Sequence, residues 1–156
     1  MKDLISNVLF VCTGNSCRSI MAEGYLRKRA AEEGLQIDVA SAGTIGMNGA
    51  APTKEALKIL EIEKVSTKSL MSKRLSEEFI DWADLILVME PEHKSIIVNM
   101  VPAAVEKIHY LGEFNPEQGD LVIPDPIGRP LAFYRASFRL IKGSTEGLIK
   151  WLKKSQ

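Results

Sequence analysis

The sequence predicts an α/β fold: a three-layer sandwich in which a parallel sheet lies between helices. Three observations carry that expectation. Short runs of strand length recur at residues 8–11, 37–40, 85–89 and 107–111. Segments with helical spacing separate them and are long enough to cross over between parallel strands. The first and third runs are apolar without interruption, the pattern of strands covered on both faces.

Val8, Leu9, Phe10 and Val11 make the first strand. A helix follows from about Ser19 and is clearest over 21–33, where Met21, Ala22, Tyr25, Leu26 and Ala30 fall on one side and Gly34 stands at the C-cap. Residues 37–40 read as a second short strand, running into Ser41-Ala42-Gly43-Thr44 and a glycine-rich loop through Gly49. Pro52 suits the first turn of a helix carrying Ala56, Leu57, Ile59 and Leu60. Ser76 is a candidate N-cap for a short helix ending at Trp82. A third strand over 85–89, a helix over 91–100 and a fourth strand over 107–111 follow. The stretch 112–130 carries Gly and Pro at several points and reads as a long loop, of a length that usually signals function. Residues 131–152 read as a closing helix whose continuity Gly143 and Gly147 weaken. No repeat, linker or low-complexity segment divides the chain. One Rossmann-like domain over 1–156 is therefore expected, with ligands binding beyond the carboxyl ends of the strands.

Composition narrows the function. The formal net charge is zero, so no global field draws the protein to nucleic acid or to a membrane. Arg27-Lys28-Arg29 and Lys153-Lys154 are short, balanced by nearby glutamates, and read as solvated helix faces. No apolar run approaches the roughly 20 residues that span a bilayer. Met1-Lys2-Asp3 leads into the first strand without a signal-peptide core. A reducing cytoplasm is the expected location, where two cysteines point to catalysis or redox chemistry rather than to a structural disulfide. Cys12, Cys17, His93 and His109 fall at no zinc-site spacing, so neither metal nor cofactor is expected. The two histidines read as surface or interface residues.

The chemistry is concentrated in Cys12-Thr13-Gly14-Asn15-Ser16-Cys17-Arg18-Ser19, which joins the first strand to the first helix. Backbone N–H groups at such a junction bind tetrahedral anions and stabilise a thiolate. Gly14 lets the backbone wrap closely around the anion. Arg18 can grip two oxygens through its planar fork. Asn15 tolerates a left-handed backbone, and Ser19 is placed to donate a hydrogen bond to the Cys12 sulfur. The amides of Thr13, Gly14, Asn15, Ser16, Cys17 and Arg18 form the expected phosphate cradle. Expelling an alkoxide also needs an acid. Asp125 supplies one from the long loop, held between Pro124 and Pro126, and burial beside a phosphate dianion would help it keep a proton. The same carboxylate could then activate water against a cysteinyl-phosphate. Taken singly, a cysteine ending a strand is a small core hydrophobe and Asp-Pro is a turn; their joint placement favours the catalytic reading.

The run from Val11 to Ser19, continuing Met21-Ala22-Glu23, closely resembles the signature of the low-molecular-weight protein tyrosine phosphatases. Ser41-Ala42-Gly43-Thr44, 83–89 with His93 shortly after, and Asp125-Pro126 match further landmarks in the same order. The resemblance implies a four-stranded parallel sheet, metal-free hydrolysis of phosphotyrosine-type esters on a protein substrate, and a phosphocysteine intermediate. It assigns attack to Cys12, oxyanion binding to Arg18 and acid–base work to Asp125. It further implies a reversible Cys12–Cys17 disulfide protecting the nucleophile, and a monomer or weak dimer is expected. Members acting on phosphotyrosine carry an aromatic residue directly after Asp-Pro, where this chain has Ile127. A bulky aliphatic precedes their second cysteine, where relatives resembling protein arginine phosphatases carry threonine and this chain has Ser16. Both residues therefore bear on specificity, and a protein arginine phosphatase is the alternative. A histidine that braces the phosphate loop in many relatives is replaced near Leu70. Arsenate reductases share the loop but need a further cysteine downstream, and none follows Cys17. A non-catalytic redox-sensing phosphate-binding module is the remaining competitor.

Overall fold

In the computed structural model, which describes residues 4–117 and 121–155, the chain builds four strands: β1 (Asn7–Cys12), β2 (Asp38–Gly43), β3 (Leu85–Val88) and β4 (Ile108–Tyr110). The helices are α1 (Arg18–Glu32), α2 (Lys54–Ile62), α3 (Glu77–Trp82), α4 (Pro91–Met100) and α5 (Leu131–Ser155), with 3-10 turns at Pro102–Lys107 and Leu111–Phe114. All neighbouring strands are parallel, in the order β2-β1-β3-β4. The four-stranded sheet is the one expected.

Alternation along β1 explains the two-sided core. Val8, Phe10 and Cys12 join one apolar cluster with residues of α1, α2 and α5. Leu9 and Val11 join the other, with Ile80 of α3 and Ile97 of α4. The chain leaves β1 toward β2 on one side and returns to β3 on the other, so the segments following β1 and β3 diverge from one crevice. In doubly wound sheets that switch point is where ligands bind. Cys12 ends β1 at that edge, and the segment after β3 starts there too.

Several boundaries differ from expectation for identifiable reasons. Strand β2 runs on to Gly43 instead of turning after Ala40, because its register with β1 continues to the Cys12–Gly43 pair. Gly43 is also tied to 73–75 through its N–H to Lys73 O and its carbonyl from Leu75 N, both 2.8 Å. Pro52 lies outside α2: Thr53 is the N-cap, its hydroxyl accepting from Ala56 N. Ser76 caps α3 as expected, accepting from Phe79 N. Gly34 follows α1 in a Schellman arrangement, with Leu35 N on Ala30 O and Gly34 N on Ala31 O. The start of the expected 112–130 loop forms the Leu111–Phe114 turn, and 118–120 lie outside the described residues.

Helix α5 is unbroken through Gly143 and Gly147. Those glycines serve packing: a Cβ at Gly147 would stand 1.7 Å from Phe114 O and one at Gly143 would stand 2.9 Å from Asn115 Nδ2. Their lack of side chains lets the Leu111–Phe114 turn lie directly on the helix.

Candidate active site

The loop between β1 and α1 curls over the carboxyl end of β1. Asn15 takes the left-handed conformation expected of it, with φ of 51°. Gly14 is not where space is tightest, since a Cβ there would meet only Ser16 Oγ, at 3.4 Å. The close approach is at Gly43 on the neighbouring strand, where a Cβ would come within 2.6 Å of Thr13 O and 2.7 Å of Asn15 N. Sequence reasoning took Gly43 only as a family landmark. Thr44 N and Ile45 N then bond Cys12 O and Thr13 O at 3.0 and 2.9 Å, so the loop carbonyls are held outward.

Beneath the loop runs a buried chain of polar side chains. Lys73 N donates to Asn15 Oδ1 at 2.8 Å, which fixes the amide so that Nδ2 faces Ser19 Oγ (2.6 Å) and Ser41 Oγ (2.8 Å). Each hydroxyl accepts from Asn15 and so turns its own hydrogen elsewhere. That of Ser41 goes to Glu23, which is ion-paired to Arg27. That of Ser19 is directed at Cys12 Sγ, 2.8 Å away. Asn15, Ser19, Ser41 and Glu23 are all buried. The brace sought near Leu70 is supplied instead by Ser72, whose hydroxyl donates to Gly14 O at 3.0 Å, while Leu70 packs in the core beside Gly24.

Arg18 is the largest fully buried side chain. Its Nη1 donates to Ile123 O (2.8 Å) and to Glu90 Oε1 (3.0 Å), the N-cap residue of α4. Its Nε has no partner, and Nη2 stands 3.5 Å from Asp125 Oδ2. One edge of the guanidinium is thus anchored, and the Nε–Nη2 edge, the fork that matches two oxygens of an anion, is left for the cleft. Asp125 sits at the mouth, its Oδ1 accepting from Ile127 N at 3.1 Å and from Cys17 Sγ at 3.7 Å. Burial, then the neighbouring Cys12 and Asp125, push the Cys17 thiol up to about 12, so it stays protonated and acts as a donor. Cys12 and Cys17 are both free thiols.

Cys12, Thr13, Gly14, Ser16, Cys17, Arg18, Asp125 and Ile127 line one cleft of about 170 Å³ with Ile45. Asn15 and Ser19, both fully buried, lie beneath it. Every residue singled out from the sequence is therefore brought to one place. Five more had been given no role there: Ser72 and Glu90, which went unnamed, and Ser41, Glu23 and His93, which stood only in stretches matching the family. His93 corrects an expectation, since it is fully buried rather than at the surface, with Nε2 3.0 Å from Thr13 Oγ1. Burial and the nearby Arg18 lower its pKa to about 4, so the ring is neutral. His109 does lie at the surface, 3.5 Å from Glu113.

A parallel α/β sheet holding a buried Cys-x5-Arg loop below a carboxylate defines a cysteine-dependent phosphatase. Residues 7–156 match the family model described as low molecular weight phosphotyrosine protein phosphatase, and the chain belongs to that family. It is 34% identical over 151 residues to a protein-arginine-phosphatase of Bacillus subtilis, covering 96% of this chain and 99% of that one. It is likewise 34% identical to the low molecular weight protein-tyrosine-phosphatase Ptp of Acinetobacter johnsonii, over 87% of this chain and 90% of that one. Among solved structures, a YwlE arginine phosphatase carrying a cysteine-to-serine mutation and a phosphorylated active site serine superimposes with a TM-score of 0.89, at 31% identity over 96% of this chain and 97% of that one. Family membership implies phosphorylated protein substrates. No helix among the described residues is long and apolar enough to cross a membrane.

Proposed function

We propose that this chain acts, as one cytoplasmic domain, as a phosphatase that hydrolyses phosphotyrosine-type monoesters on proteins through a phosphocysteine intermediate. The observation that supports this best is Arg18: fully buried, anchored along one edge, with Nε unpartnered, and lining the same cleft as Cys12. A buried cation that keeps its fork unfilled is suited to an incoming dianion.

In this reading the Cys12 sulfur attacks phosphorus while the bond to the leaving oxygen breaks. Arg18 and the Thr13–Arg18 amides bind the equatorial oxygens, whose charge is spread most widely in the transition state. Ser19 donates to the sulfur and fixes its direction. Asp125 gives its proton to the leaving oxygen, then takes one from the water that attacks the phosphocysteine, releasing inorganic phosphate and restoring the thiolate. The phosphorylated serine of the YwlE structure supports a phosphoenzyme on this scaffold.

Hydrolysis of an aryl phosphate tests this. Cys12→Ser should lose turnover by about 10³-fold or more with its fold intact, and ordinary activity in that variant would end the thiol mechanism. Asp125→Ala should slow poor leaving groups more than good ones; equal slowing of a graded phenol series would remove its acid role.

Protein arginine phosphatase activity is the second reading. Ser16 and Ile127, rather than a bulky aliphatic and an aromatic ring, line the cleft. A polar wall suits the N–H groups of a guanidinium better than a phenyl ring. The ratio of kcat/KM on phosphotyrosine and phosphoarginine peptides separates the two.

A further inference from the structure

We infer that Thr13 is a further phosphate-binding residue, its hydroxyl donating to the bound phosphoryl group, and that His93 positions it by occupying the hydroxyl oxygen. The inference deepens the phosphatase reading above and rests on it.

The starting point is an unbalanced ring. His93 is completely buried at the start of α4, and of its two nitrogens Nε2 meets Thr13 Oγ1 at 3.0 Å while Nδ1, also buried, has no partner. A neutral imidazole carries one N–H. If the proton were on Nδ1, a buried donor would be stranded; if it is on Nε2, only a lone pair is stranded. Orphaned donors are the rarer of the two in folded proteins. The proton therefore sits on Nε2 and is donated to Thr13 Oγ1. The charges facing the ring agree with its neutrality: Arg18 opposes a second proton, and only Asp125 favours one.

A hydroxyl whose oxygen is accepting from Nε2 has its own hydrogen to give. Thr13 lines the same cleft as Cys12 and Arg18. Its carbonyl is already taken by Ile45 N at 2.9 Å, so the hydroxyl does not need to satisfy the loop and is available to a ligand. The arrangement parallels the one under the loop. There Asn15 occupies Ser19 Oγ and so directs that hydrogen to Cys12; here His93 occupies Thr13 Oγ1 and directs its hydrogen to the anion. The ring is supplied from α4, across the switch point between β1 and β3.

Competitive inhibition by inorganic phosphate, measured on turnover of an aryl phosphate, tests the pair. Thr13→Val, which removes only the hydroxyl donor, should weaken phosphate binding about tenfold to a hundredfold, the range for a hydrogen bond to a charged group. His93→Leu should give a loss of the same size, and the double variant should be no worse than either single one. Thr13→Ser and His93→Gln, whose amide N–H reaches the place of Nε2, should recover most of the affinity. The ¹⁵N spectrum of the wild-type ring should show the proton on Nε2. Unchanged phosphate affinity in Thr13→Val would overturn the inference, and so would additive losses or a ring protonated on Nδ1. Failure of the phosphatase reading looks different: the wild-type protein would itself turn over no aryl phosphate.

Discussion

The two ends of α1 carry similar side chains in opposite circumstances. At its start Arg18, Ser19 and Glu23 are buried to within 1% exposure. They are met by groups from far along the chain, Glu90, Ile123 and Ser41, and by Asn15 from the loop just before the helix. At its finish Arg29 reaches Glu32 and Glu146, Glu33 reaches Lys153, and all of these lie at least partly in water. Buried charge is tolerated only when its hydrogen bonds are complete, so the one gap left at the buried end, Arg18 Nε, is conspicuous. Exposed ion pairs face no such demand, and each contributes little. A missing partner is thus informative only where burial makes it costly.

Arg18→Lys tests that contrast most sharply. It keeps the charge within reach of Glu90 and removes the planar fork. A loss of about 10²- to 10³-fold in kcat/KM on a phosphotyrosine peptide is expected, comparable with deletion of an oxyanion donor. A fall of under tenfold would mean that charge alone, not the unfilled edge, distinguishes this end.

The two ends should also part company with pH. His93 has a folded pKa of about 4 against 6.5 for a free ring. As pH falls below the free value, the unfolded chain takes up a proton that the folded ring refuses. This contribution is therefore whole above pH 6.5 and is lost between there and pH 4, by up to about 3 kcal/mol. Glu146 behaves otherwise: its hydrogen bond from Arg29, above all, holds it below the usual carboxylate range. Its contribution is whole above 4.5, the value of a free glutamate, and is lost from there down through its lowered folded value, below most of that window. Denaturation from pH 7 to 5 should show a slope that His93→Gln flattens and Glu146→Gln does not; equal slopes in wild type and His93→Gln would remove the titrating ring.

What the sequence made legible follows from distance along the chain. Cys12 to Ser19 is one contiguous loop between a strand and a helix, and Asp125 is marked by flanking prolines, so local signals were enough. The supporting residues are local to nothing. Ser41, Ser72, Glu90 and His93 reach the loop because β1 lies between β2 and β3, a fact of strand order that periodicity does not express. Ser41 and His93 stood in stretches that match the family, but only Glu23 offered a signal of its own, as an acidic residue one turn after Ser19 in a helix whose neighbouring positions are apolar. His93 could have been suspected once Glu90 was, being three residues on in the first turn of α4. Gly43 and Gly147 show a parallel limit: close backbone approach leaves the same letter in a sequence as an irregular loop or a weakened helix.

The smallest effect expected is at the exposed end. Glu146→Gln would weaken the Arg29 pair (2.8 Å) and the bond from Tyr25, which also has Lys142 over its ring. With Glu146 about a third exposed, the loss should be about 1 kcal/mol or less, a Tm change of roughly 2–4 °C for a chain of this size. Turnover should stay within about twofold of wild type. A coupling route does exist, because α5 also touches the acid loop through Ser137 Oγ on Pro124 O at 2.9 Å. That contact lies nine residues before Glu146, two and a half turns along a helix that Gly147 seats against the Leu111–Phe114 turn. If kcat fell markedly while Tm barely moved, the exposed clamp would be setting the position of Asp125, and the division between the two ends of α1 would fail.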